Sequence, residues 1–184
     1  MCAMRHRTVL LAFLALATLA PAKTPDPCAT VALPAKVRQL LHDKYRDWRP
    51  KTTTDLDEDD QRTYFQEYPH SCPGIAIGHF EEPDQRSYAI FLVPKTGVEN
   101  RYKIVVFAQG EGSAEYHVSI LDHGPSTPNS GVVISKVLPG KQTGFDETKS
   151  VALKLDGVNV EWLEKSSVLY YYSRGKYHSL QTSD

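Results

Sequence analysis

Near the start of the chain, Val37, Leu40, Leu41, Tyr45 and Trp48 recur at i, i+3, i+4, i+8 and i+11. That spacing places them on one face of a helix. Lys36, Arg38, His42, Asp43, Arg46 and Asp47 fall mostly on the other face. Proline is favoured at a helix start, so the helix is expected to begin at Pro34 or Ala35 and to stop at Pro50. Residues 51–60 are polar. Asp55 or Asp57 is placed to cap a second helix over about 58–67, with acidic residues in its first turn facing the positive end of the dipole. Tyr64, Phe65 and Tyr68 form its apolar side, and Pro69 ends it.

From Cys72 the period changes to that of strands. Ile75–Phe80, Ser87–Val93, Tyr102–Ala108, Tyr116–Leu121, Val132–Val137, Ser150–Leu155, Asn159–Glu164, Val168–Tyr172 and Tyr177–Thr182 are short runs rich in Val, Ile, Leu and Tyr, parted by turn residues. Tyr172-Ser173-Arg174-Gly175-Lys176, with glycine for a positive φ, and Asp156-Gly157 read as hairpin turns. No helical pattern separates the strands, so parallel βαβ units are not expected. The expected fold is α+β: a single domain with two N-terminal helices packed on a mainly antiparallel, meander-like sheet. Its parts are an extended lead-in over 23–34, a helical part over 35–69 and a β part over 72–184. The strand Val158–Trp162 alternates so that Trp162 is expected in the core.

The N-terminus changes the picture. Arg5 and Arg7 precede an apolar run, Val9–Leu19, too short to span a bilayer and suited to a signal peptide. Ala20-Pro21-Ala22 supplies small residues at the cleavage positions, so residues 1–22 are expected to be removed, leaving no membrane anchor. Pro25-Asp26-Pro27 before Cys28 does not fit a lipidation site. Export to the periplasm or medium is the expectation. Cleavage removes two of the 21 basic residues and none of the 22 acidic ones, leaving 19 against 22, a net charge of -3. It also removes Cys2, leaving Cys28 and Cys72 as an even pair in an oxidising compartment. A bridge between them would be worth about 4 kcal/mol. The alternatives are free thiols or a metal pair, and no C-x-x-C spacing supports metal.

Composition narrows the function. Hydrophobic residues are 41% and charged residues 23%, ordinary for a globular protein. No basic field marks a nucleic-acid binder. The acidic stretches at Asp55–Asp60 and Glu81–Asp84 lack the glycine and the closing ligand of calcium loops. They read as a helix-capping turn and an acidic hairpin turn. The mature chain holds His42, His70, His79, His117, His123 and His178, with no H-E-x-x-H pair. His117 and His123 are spaced to face one side of a straight strand, about 20 Å apart. Gly112-Ser113-Ala114 lacks the setting of a nucleophile elbow. No metal or cofactor is expected, and no catalytic residue can be assigned.

Cys72-Pro73-Gly74-Ile75-Ala76-Ile77-Gly78-His79-Phe80, with Asp55, Leu56, Asp59, Asp60 and Gln61 before it and Tyr88-Ala89 after, resembles a family of small exported bacterial proteins. They share a helix, D-L-x-x-D-D-Q, then C-P-G-x-x-x-G-x-F. Gly78–Ala89 is also similar to a single degenerate FG-GAP-like repeat. The resemblance implies export and a mostly structural role for these motifs.

Tyrosine is abundant, with 10 in the chain. Tyr170, Tyr171 and Tyr172, with Tyr177 and His178, are the candidate partner-binding surface, because aromatics with polar tips suit recognition of protein or glycan. The expected function is an exported, non-enzymatic binding module for a protein or cell-envelope ligand, an envelope hydrolase inhibitor being one form. The alternatives are a small periplasmic hydrolase with a dispersed His/Asp/Glu site, or a structural envelope component. No pattern fixes the oligomeric state.

Overall fold

The apolar runs from Ile75 onward close into two antiparallel sheets that face each other. A computed structural model describes residues 26–96, 101–125 and 131–184. The expected signal segment and its expected cleavage after Ala22 lie outside the described residues. The first sheet contains β1 (Trp48–Pro50), β2 (Ile75–Gly78), β3 (Ser87–Pro94), β4 (Arg101–Gln109) and β5 (Tyr116–Pro125), ordered β1-β3-β4-β5 with β2 also on β3. The second contains β6 (Val132–Val137), β9 (Gly157–Trp162), β10 (Ser166–Ser173) and β11 (Lys176–Ser183), ordered β11-β10-β9-β6. A small hairpin, β7 (Gly140–Thr143) with β8 (Ser150–Leu153), interrupts the path from β6 to β9.

The inner faces form the main core. Ala76, Phe80, Ala89, Phe91, Ile104, Val106 and Ala108 of the first sheet and its β2–β3 turn meet Val132, Ile134, Val158 and Val160 of the second. Burying such side chains is worth about 1.5–3 kcal/mol each before entropy is counted. The outer faces are covered separately. Helix α1 (Ala35–Lys44) lays Val37 against Ile90, Leu92, Val105 and Phe107. Helix α2 (Glu58–Glu67) packs Tyr64 with Leu56, Val133 and Leu163. The β7–β8 hairpin sets Leu153 against Leu169 and Leu180 on the rest of the second sheet's outer face.

This corrects the α+β expectation. The protein is a single, mostly antiparallel β domain, 47% strand and 18% helix. The two helices do not form one layer over one meander. Each is only 10 residues long and caps a different sheet. The long first helix stops at Lys44: Tyr45 reaches the core just after the helix end, and Trp48 opens β1. Three further expectations change. Asp156-Gly157 is not a hairpin turn, since β8 pairs back with β7 and β9 pairs with β6 and β10. Instead the buried Asp156 carboxylate accepts the His79 amide at 2.8 Å, and its own amide donates to the His79 carbonyl. Trp162 is half-buried at the end of β9 rather than in the core. A bulge in β5, where Ile104 faces Asp122 but Val105 faces Ile120, turns His117 and His123 to opposite sides. One extra residue flips every later side chain.

The C-P-G-x-x-x-G-x-F segment is explained by packing. Cys72 is disulfide-bonded to Cys28, with Cα atoms 4.6 Å apart, tying the turn at Pro27–Thr30 to the start of β2. The Pro73 carbonyl accepts the Ile134 amide, bridging the sheets. A Cβ on Gly74 would lie 2.2 Å from the Lys51 carbonyl oxygen, and one on Gly78 would lie 2.9 Å from the Asp156 carboxylate. Only glycine admits these approaches. A disulfide is consistent with an oxidising, extracellular setting.

Candidate functional site

The β10–β11 hairpin carries the candidate tyrosines. Ser173 pairs with Lys176, so Arg174-Gly175 is a two-residue turn. Both residues are left-handed, with φ 52° and 78°. This is the turn geometry that matches strand twist. It leaves side chains alternating along β10. Tyr170, Tyr172 and Tyr177 point inward, toward the first sheet, while Tyr171 and His178 point outward. The structure therefore splits the five candidate residues between two faces. All five are half-buried.

On the outer face, Tyr171 and His178 are cross-strand partners with rings stacked 5.5 Å apart and 21° from parallel. His178 Nε2 also lies 3.2 Å from the Ser173 carbonyl oxygen. A groove of about 470 Å³ runs between Tyr171, Tyr172, Ser173 and Arg174 on one side and residues 151–155 of the β8 end on the other. Small-molecule sites span about 300–1,000 Å³. Lys154 and Arg174 stand exposed on it, with exposed Lys176 beyond the turn. Among the described residues, these three cations have no ion-pair partner.

On the inner side of the same tip lies a polar cluster. The Glu81 carboxylate, 3% exposed, lies 2.6 Å from Nε2 of half-exposed His117 and accepts from Ser119 Oγ at 3.4 Å. The Tyr177 hydroxyl is buried near that charge but outside normal hydrogen-bond geometry. Burial first, and Glu81 second, push its pKa up. Tyr172 packs edge-on against Tyr177 and is raised by burial and then by Glu81 and Glu82. Farther along β5, Tyr102 donates to Asp122 at 2.8 Å. Tyr170 is pushed up to about 12, by burial and then by Asp122.

The acidic β2–β3 turn is thus not wholly solvated: Glu81 turns inward. In the other acidic segment, Asp57 caps α2 by accepting the Asp60 amide, and Asp55 binds Arg49 with both carboxylate oxygens. Gln61 donates to the Leu56 carbonyl, so D-L-x-x-D-D-Q is a folding device. Among the described residues, no three His, Cys, Asp or Glu side chains gather to hold a metal ion.

Glu81, Lys154 and Arg174 were missed in the sequence. In the sequence Glu81 is one of several turn acids, and Arg174 an ordinary turn residue. Its only signal is that arginine precedes glycine where asparagine is usual. No family model, curated protein or solved structure matches this chain.

Proposed function

We propose that the protein is an exported, non-enzymatic binding module that holds a protein or cell-envelope ligand in the groove at the β10–β11 tip. The observation that carries this reading is Tyr171, which lines that groove and stacks on its cross-strand partner His178. Stacking and the contact to the Ser173 carbonyl oxygen fix the rings before any ligand arrives, so little side-chain entropy is lost on binding. Tyrosine adds contact area with a polar tip. Inhibition of an envelope hydrolase is one form such binding takes.

The Glu81–His117 pair favours a second reading, a small periplasmic hydrolase. A buried carboxylate beside a half-exposed imidazole is the support a general base needs. The Ser119 hydroxyl donates to Glu81, so the base would act on water.

Co-sedimentation of the purified protein with envelope material from the host cell tests the two. The binding module should sediment, and Tyr171→Ala should release it while His117→Ala does not. Absence of sedimentation, or envelope breakdown lost in His117→Ala, would overturn the first reading.

A further inference from the structure

The groove's charges and backbone say more about what it holds. Arg174 occupies the first position of a two-residue turn with φ 52°. Non-glycine residues rarely adopt that conformation, and asparagine or aspartate accept it far better than arginine. Strained positions persist where the side chain is wanted and cluster at ligand clamps. Arg174 is exposed, has no ion-pair partner among the described residues and borders the groove. Lys154 faces the same groove from the β8 end, equally unpaired. Among the described residues, no acidic side chain lines the groove. The carboxylates on this corner, Glu81 and Glu82, act on the inward Tyr172, and Glu81 is already bonded to His117.

From this we infer that the ligand is an anionic glycan, a saccharide chain bearing carboxylates or phosphates. This rests on the binding-module reading. Tyr171, backed by His178, offers a flat apolar face for a sugar ring. Val151, Leu153 and Leu155 line the opposite wall. Lys154 and Arg174 flank this platform, and arginine's planar fork fits a carboxylate or phosphate by two parallel hydrogen bonds. Aromatic face and paired cations together distinguish this ligand from a neutral glycan, which needs no cations, and from an acidic peptide, which needs no ring platform.

The test uses the whole mature protein and calorimetric titration with three probes: hexagalacturonate, its methyl ester and hexaglutamate. Hexagalacturonate should bind, and more weakly as salt rises from about 0.05 to 0.5 M. The ester and the peptide should bind about tenfold less well. Arg174→Asn should weaken hexagalacturonate about tenfold, the loss of one charge-assisted pair, without lowering the melting temperature, since asparagine suits the turn. Tyr171→Ala should weaken it about fivefold or more. Equal binding of the ester, equal binding of hexaglutamate, no effect of Arg174→Asn, or no binding by hexagalacturonate would each overturn the anionic-glycan assignment. If the protein still co-sediments with envelope through Tyr171 in that case, the binding-module reading stands. If co-sedimentation is also absent, both fall.

Discussion

The buried Glu81 carboxylate and His117 Nε2 lie 2.6 Å apart, joining the β2–β3 turn to the edge strand β5. A bond to a charged group contributes about 1.5–3 kcal/mol, and a buried carboxylate stripped of its partner costs as much again unless water reaches it. Because His117 is half-exposed, water partly compensates. His117→Ala should lower stability by about 1–3 kcal/mol, and Glu81→Gln by less. Urea denaturation of the single and double variants checks this. Additive losses would show that the two residues do not act as a pair.

Gly74 is the tightest glycine in the molecule among the described residues. An added Cβ would lie 2.2 Å from backbone, which cannot yield as a side chain tip does. Gly74→Ala should cost at least about 3 kcal/mol. Gly110→Ala, where nothing lies within 4 Å, should change stability by no more than about 0.5 kcal/mol. Thermal melting of both variants gives the comparison.

Lys51 is 2% exposed, its amine 5.2 Å above the Phe91 ring. Burial lowers its pKa to about 8, against partial relief from Asp55 and Asp60. Below pH 8 the amine is charged in both folded and unfolded chains, and the fold bears the cost of burying it. Between about 8 and 10.5 the unfolded chain holds the proton more tightly, so stability rises with pH. Relative to Lys51→Met, wild-type stability should therefore rise by up to about 3 kcal/mol over that window. The raised tyrosines destabilise the fold above pH 10 in both proteins and cancel in the difference. A flat difference would place the ammonium in solvent.

Removing the Cys28–Cys72 bond should lower stability by about 2–5 kcal/mol. Cys28→Ser frees the turn at Pro27–Thr30 from the start of β2. Guanidinium denaturation measures the loss, and thiol labelling of unreduced, denatured wild type should find neither cysteine free.

Strand positions were readable because β-branched and aromatic runs such as Ile104–Phe107 have no other use. Which strands pair was not. Val132–Ser135 reads identically whether its neighbour is β5 or β9, and only the excursion through β7–β8 sends it to the second sheet. Gly140–Thr143 carries no apolar residue and so gave no strand signal. Tyr45 and Trp48 hold helical spacing but reach the core through a turn, the Trp48 amide donating to the Tyr45 carbonyl. Asp156-Gly157 has turn composition, yet its carboxylate is spent on His79. The tyrosines were legible by number and alternation. That the tip has an aromatic groove outside and a carboxylate–imidazole pair inside was not, because Glu81, His117 and Lys154 are brought there by three separate connections.

Where a ligand lands decides between the two sides of this tip. Amide chemical-shift mapping of residues 23–184 with solubilised envelope saccharide measures that most directly. Binding in the groove should give shifts centred on residues 151–155 and 171–174, with His178 ring signals moving and those of His117 unchanged. Shifts centred on Glu81, His117 and Ser119, with the groove silent, would contradict it.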